Sequence, residues 1–353
     1  MSITRSSLLL ISGLAAVIVT GCAGQGMRDA AAPRPPGSNP LFTEMFTADP
    51  APMVHDGRVY LYTGHDEAGP DQMFNITEWL VFSSDDMRNW TAHGPVMKPT
   101  DFAWAKSDAW ASEVEEKDGK FYFYTTVEHD GTDPGKAIGV AVSDSPTGPF
   151  VDARGSALVS NSMTKMAAHS WDDIDPTVFQ DDDGTAWIYW GNQILYYAKL
   201  APNMTELDGP IQTLDLAPYE EGPWIHKHDG TYYLLYAAID RSVSEDEQIH
   251  YATAPSITGP WTLRGMLTGP GENSFTIHPG TVEFEGQWYL FYHDASQSID
   301  GVPGAIGRRS VRVEYLYHNE DGTLQTVEQT PEGISVPPRG APATAYSEKG
   351  QQP

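Results

Sequence analysis

The sequence predicts an all-β protein: a single five-bladed β-propeller with about four antiparallel strands per blade. The main observation is a short unit that comes five times, each copy turning on an acidic-Gly pair at Asp56-Gly57, Asp118-Gly119, Asp183-Gly184, Asp229-Gly230 and Glu285-Gly286. Each pair leads into an aromatic run, in order VYLY, FYFY, AWIY, YYLLY and WYLFY. The turn glycines at 57, 119, 184, 230 and 286 leave room for roughly four strands per copy. Asp-Gly between apolar runs is the strongest short hairpin signal, because glycine accepts positive φ in a tight turn. Val, Tyr, Phe and Trp suit a pleated, half-buried surface. A lone hairpin is marginal in water, so repeats of this kind gain stability by packing as blades around an axis.

In chain order, residues 1–21 read as a lipoprotein signal peptide. Arg5 gives a positive start, and the apolar run from Leu8 to Thr20 is too short to span a bilayer comfortably. The run ends in Val19-Thr20-Gly21-Cys22, which resembles a bacterial lipidation site at Cys22; ordinary secretion with an incidental cysteine is the plainer alternative. No other cysteine follows, so neither disulfides nor thiolate chemistry are expected in the body. Residues 22–40, rich in Ala, Pro and Gly, read as a flexible tether, 41–334 as the propeller and 335–353 as a disordered polar tail. The expected location is extracytoplasmic, anchored at a periplasmic face or cell surface, with the lipid as the only membrane contact.

Composition narrows the partners. With 48 acidic and 21 basic residues the formal charge is −27, which disfavours nucleic acid and anionic membrane surfaces. At 40% hydrophobic and 11% aromatic, the chain can bury a large core.

The repeat also locates a site. Eight or nine positions before each turn glycine stands a distinctive residue: Asp49, Asp175, Glu221 and His278, with Trp110 or Ala111 in the second copy and Glu113 nearby. If those strands line the axis, three carboxylates and a histidine converge on one mouth of the channel. Asp before Pro often only starts a turn, so it is the shared position that singles out Asp49 and Asp175. Glu220 is expected to point away from Glu221 in an extended segment.

Other candidates are weaker. In Gly64-His65-Asp66-Glu67, His65 or Asp66 is a candidate for substrate contact at the mouth, although loop acids are usually just solvated. Of Trp104 and Trp110, one suits the core and the other a sugar face; repeat position favours Trp110. Trp90 reads as a blade-packing residue. The run Asp181 to Asp183 reads as a solvated turn without the spacing of a calcium-binding loop. SDSPTGPF at 143–150 is echoed by APSITGPW at 254–261, which marks equivalent outer turns.

No HExxH, GxSxG, phosphate loop or CxxC is present. Carboxylates without those signatures suggest acid/base hydrolysis. Cleaving a glycosidic bond takes one carboxylic acid to protonate the leaving oxygen and one carboxylate to activate water. The two need different pKa values at one pH, and a further carboxylate near the acid raises its pKa.

TADPAPMV at 47–54, LVFSSDDMRNW at 80–90, WASEV at 110–114 and GVAVSDSPTGPF at 139–150 together resemble glycoside hydrolase family 43. So do DDIDPTVFQDDDG at 172–184, EGPWIHK at 221–227 and RRSVRVEYLYHNEDGT at 308–323, and the resemblance runs from Asn39 to about Ile334. In detail the chain looks closest to members that release arabinofuranose side chains from arabinoxylan; β-xylosidases of the same family are the alternative. The resemblance implies Asp49 as general base, Glu221 as general acid and Asp175 as the residue that tunes and orients the acid. It implies inversion, with the Asp49 and Glu221 carboxyls about 6.5–9.5 Å apart. It needs no cofactor and implies polysaccharide or oligosaccharide as the substrate. His278 matches a family histidine beneath the pocket that in some members helps hold a water-coordinated calcium, so a structural calcium is a further expectation. Arg309 matches a substrate-contacting position, with Arg308 as the other option. Trp-Ala-Ser-Glu at 110–113 departs from the common Trp-Ala-Pro-Glu, which touches local pocket shape only. Invertase-like retaining hydrolases carry a Glu-Cys acid motif, which this chain lacks. A non-catalytic carbohydrate-binding propeller predicts loss of one of the three acids, all of which are present.

Overall fold

Four of the five acidic-Gly pairs form two-residue hairpin loops. His55 faces Arg58, Lys117 faces Lys120, His228 faces Thr231 and Phe284 faces Gln287, with both residues of each loop at positive φ. Asp183-Gly184 departs from this pattern, because Gln180 pairs with Ala186 across a five-residue loop. Asp181 starts that loop: its carbonyl accepts the Gly184 N–H at 2.8 Å, and its carboxylate takes the Tyr232 hydroxyl and lies 3.5 Å from Lys227 Nζ. Asp182 takes the same lysine at 2.7 Å. The run expected to be merely solvated therefore ties blade three to blade four.

The computed structural model describes residues 34–70 and 72–339. The expected signal peptide, Cys22 and residues 22–33 of the expected tether lie outside the described residues, as does the tail beyond Arg339. Five antiparallel sheets follow in chain order. Blade one comprises Thr47–His55, Arg58–Asp66, Ile76–Ser84 and Thr91–Met97. Blade two is built on Ser112–Lys117, Lys120–His129 and Lys136–Ser143, widened to six strands by short edge pieces. Blade three comprises Thr177–Gln180, Ala186–Trp190, Leu195–Lys199 and Gln212–Leu214. Blade four comprises Tyr219–His228, Thr231–Ala238, Gln248–Ala254 and Thr262–Thr268. Blade five has three strands, Gly280–Phe284, Gln287–Asp294 and Ser310–Leu316. The only helix among the described residues is a single 3-10 turn at Pro99–Asp101.

Period-two alternation turns the apolar side chains of each blade onto its neighbours. Blades two and three share Tyr124, Val140, Ile188 and Trp190, and blades three and four share Tyr189, Leu195, Leu234 and Tyr236, all buried. Blades five and one close the ring through Val59, Leu61, Phe82, Phe291 and Val311. Trp90 meets Phe42 and Phe291 edge-on at 6.2 Å, in keeping with a packing role. The two echoed stretches join Lys136–Ser143 to the edge strand Val151–Asp152 in blade two and the third to the fourth strand in blade four, with Gly148 and Gly259 at φ +77° and +96°.

Ring closure extends past the expected boundaries. Thr47 N–H donates to the Arg309 carbonyl at 2.9 Å and Leu41 N–H to that of Val311 at 2.8 Å. Asn39, assigned to the tether from sequence, is buried and donates its side-chain amide to Val313 and Glu314. Beyond Ile334, Tyr315 donates its hydroxyl to the Val336 carbonyl at 2.9 Å, and Arg339 N–H donates to the Tyr317 hydroxyl at 2.9 Å. The described start of the tail thus rests on blade five.

Candidate active site

Asp49-Pro50 forms a bulge in its strand, whereas Asp175-Pro176 stands just ahead of the strand Thr177–Gln180. Ala48 faces Gly64 and Ala51 faces Tyr62, so Asp49 and Pro50 together oppose Thr63. Proline has no N–H to give to the ladder, and the residue before it takes a left-handed turn that re-aims its side chain. φ is +52° at Asp49 and +58° at Asp175. In blade four Gly222 takes that conformation, at φ +58° before Pro223, and the register slips on both sides of Glu221. Glu221 thus shares the repeat position of the two aspartates but stands one residue ahead of the bulge. The slipped register also brings Glu220 to the pocket, contrary to the expectation that it points away.

One cavity of about 740 Å³ is lined from all five blades. Asp49, Trp110, Ala111, Asp175, Glu221, His278 and Arg309 all reach it, so the positions singled out by the repeat do converge. Asp49 Oδ1 takes Arg309 Nη1 at 3.1 Å. Its backbone N–H donates to His293 Nδ1 at 3.2 Å, leaving the other ring nitrogen of His293 for Thr276 Oγ1 at 3.1 Å. His293 is therefore read as neutral, and burial, with Arg309 nearby, holds its pKa well below the usual imidazole range. His278 Nδ1 lies 3.8 Å from Asp49 Oδ1, and burial lowers its pKa too.

Glu221 has different surroundings. Burial, then the neighbouring Glu220, then Asp49 push its carboxyl up to about 7, against the opposing pull of Arg309 and a 2.9 Å hydrogen bond from Asn192. Asp175 is driven well above the carboxylate range by burial, Glu221 and Asp49. Its Oδ2 accepts the Gly222 N–H at 3.2 Å, and its own N–H donates to Thr126 Oγ1 at 2.8 Å. Neighbouring buried carboxyls of this kind share protons rather than ionising together.

His65 and Asp66 do not line the pocket. They continue the strand Arg58–Asp66 instead of forming a mouth loop, and His65 Nδ1 faces Glu78 at 3.1 Å. Asp66 is buried behind Arg309, which it grips through Nε at 2.8 Å and Nη2 at 3.1 Å. Arg308 spends its guanidinium on the carbonyls of Pro303, Ala68 and Gly69. Trp104 is a core residue bonded to Asp152, whereas Trp110 faces the cavity beneath Lys136, whose Nζ sits 3.6 Å from the ring centroid. Glu113 is buried away from the cavity and accepts the Val178 N–H.

Sequence reasoning missed Phe74, Asn192, Glu247 and Thr276, which also line the cavity. Phe74, Asn192 and Glu247 lie between the second and third strands of their blades. In an up-and-down blade those loops open at the same end as the start of the first strand, and that topological rule is the signal available in advance. Around the rim, Met73, Trp171 and Phe275 are exposed, apolar side chains of the kind that meets a sugar face.

A calcium cage is not formed here. Calcium takes roughly six to eight oxygens, yet among the described residues no group of three or more His, Asp or Glu is placed to hold a metal. The positive charge beside Asp49 is the guanidinium of Arg309. A calcium at His278 would therefore be held by that imidazole and water, as the resemblance implies, and not by a cage of protein carboxylates.

Carboxyls from separate blades that face one pocket on a five-bladed propeller, one of them held up to about 7, define a carbohydrate-cleaving hydrolase. The chain belongs to the glycosyl hydrolases family 43, whose profile matches residues 38–324. It is 32% identical over 344 residues to an arabinoxylan arabinofuranohydrolase of Bacillus subtilis, covering 84% of this chain and 65% of that one. Against a xylosidase/arabinosidase of Bacteroides ovatus the identity is 33% over 332 residues, covering 80% and 95%. Among solved structures, a β-xylosidase/α-arabinofuranosidase from a compost microbial metagenome, in complex with xylotriose, superposes with a TM-score of 0.72 at 31% identity, covering 84% and 98%. The chain is a glycoside hydrolase, and it spans just under two thirds of the Bacillus subtilis relative and most of the Bacteroides ovatus one.

Proposed function

We propose that this enzyme removes terminal or side-chain pentoses, α-L-arabinofuranose foremost, from plant-type polysaccharide such as arabinoxylan, with inversion. Asp49 is the general base, Glu221 the general acid and Asp175 the residue that orients the acid and keeps its proton affinity high. The observation that carries this reading is the contrast within one pocket. Asp49 is hydrogen-bonded by the guanidinium of Arg309 at 3.1 Å. Glu221 is pushed up to about 7, which favours a proton donor. Asp175 fixes the N–H next to Glu221, and its own carboxyl is driven well above the carboxylate range by burial, Glu221 and Asp49. The names of the relatives, arabinofuranohydrolase and xylosidase/arabinosidase, support a pentose, and the neighbour crystallised with xylotriose supports an oligosaccharide substrate.

The test is hydrolysis of 4-nitrophenyl α-L-arabinofuranoside and β-D-xyloside, then of arabinoxylan and debranched arabinan. Faster release of arabinose than xylose is expected, and the reverse order makes the enzyme a β-xylosidase. NMR of the first-formed product is expected to show inversion; a retained anomer removes Asp49 as base. From the N-terminal pattern we also propose a lipid anchor at Cys22 and an extracytoplasmic location. Cys22→Ala is expected to move the protein from the detergent phase to the aqueous phase on Triton X-114 partitioning.

A further inference from the structure

We propose that Glu247 is a substrate-binding residue of this pocket, its Oε1 oxygen hydrogen-bonding a hydroxyl of the sugar held there, an inference that rests on the glycosidase reading above. Glu247 lies at the end of the loop that leads into the strand Gln248–Ala254, is 1% exposed and lines the same cavity as Asp175 and Glu221. Two bonds fix it. Its Oε2 accepts the Ile277 N–H at 3.1 Å, and its backbone N–H donates to the Phe275 carbonyl at 3.0 Å. The segment that receives both bonds carries Phe275, Thr276 and His278 into the cavity.

Oε1 takes no hydrogen bond from any described residue. Glu247 lines the cavity and Oε1 is left open there, and a sugar hydroxyl is the partner a glycosidase pocket receives. The protonation state suits that partner. Burial and the charges of Glu221, Glu220 and Asp175 raise this carboxyl well above its ordinary range, against the Ile277 N–H, which favours the protonated form that can donate to a hydroxyl.

The experiment compares wild type, Glu247→Gln and Glu247→Leu on whichever aryl pentoside the wild type cleaves best, and on its monodeoxy analogues. Gln keeps an acceptor for Ile277 and an N–H for the sugar, so its kcat/KM is expected to stay within about 5-fold of wild type. Leu offers neither and is expected to lose about 100-fold on the parent sugar. On the one analogue that lacks the contacted hydroxyl, wild type and Leu variant are expected to converge. Equal losses by the Leu variant on the parent and every analogue mean that Glu247 only ties down the 275–278 segment, and overturn the proposal. So does a lowered melting temperature with unchanged kinetics. A wild type inactive on both arabinofuranoside and xyloside overturns the glycosidase reading itself, a result visible before any variant is made.

Discussion

Asp49 and Glu221 face one pocket from different blades, and single substitutions separate them. Asp49→Asn is expected to abolish turnover of every substrate, because no other group is assigned to activate water. Glu221→Gln is expected to slow arabinoxylan far more than 4-nitrophenyl glycosides, whose leaving group departs without a proton. Equal losses on both substrates count against the acid role. The pH profile follows from the same environment. A general acid works protonated, so kcat/KM is expected to fall above pH 7 as Glu221, held up to about 7, ionises. Glu220 is the largest neighbouring charge acting on it, so Glu220→Gln should lower the Glu221 pKa and move this basic limb to lower pH. An unmoved limb shows that another group sets it.

The bulges and hairpin turns are where elements become function. Gly57 stands at φ +72° with nothing within 4 Å of a Cβ added to it. Gly57→Ala therefore meets only conformational strain, about 1–2 kcal/mol, and is expected to lower the melting temperature with kcat/KM unchanged. Gly222 combines φ +58° with the His278 ring 3.1 Å from an added Cβ. Gly222→Ala is expected to cost at least about tenfold in kcat/KM, through displacement of His278 and the Asp175 contact. Equal kinetic effects at the two glycines remove the distinction between turn and site. Both kinds of position were legible in the sequence as Asp-Gly or as acid beside Pro, because each is a local backbone demand. The five-residue loop at Asp181–Thr185 was not, since Asp181 is fixed by Tyr232 and Lys227 from the next blade. His65 and Asp66 misled for a related reason: a His-Asp-Glu cluster has the composition of a loop, but strand pairing carries it inward.

At the scale of the whole molecule, many buried carboxyls make stability depend on pH. Glu115, Asp173, Glu221 and Glu314 are each held up to about 7, with burial as the largest cause in every case. Their folded pKa values exceed the unfolded ones, so the folded state binds more protons and stability is lost as pH rises through 7. The buried histidines His226, His278, His293 and His318 have lowered pKa values and act in the opposite sense, but only as pH falls below about 6.5. Above that value only the carboxyl effect remains. The melting temperature is therefore expected to drop between pH 6.5 and pH 8 in differential scanning calorimetry; a flat or rising curve contradicts the buried-carboxyl account.

By itself the sequence determined the five-fold repeat, the hairpins, the positions of Asp49, Asp175, Glu221 and His278, and the family. These follow from short-range rules of φ, alternation and spacing that a linear chain displays. Only the tertiary structure decided that Asp66 grips Arg309 from behind, that Asn192 and Glu247 join the acids, and that Glu220 faces inward. It also raised the proton affinity of Glu221, by burial and by Glu220. Such features arise between groups as far apart in the chain as 243 residues, as with Arg309 and Asp66, where burial and charge act through space and leave no local pattern to read.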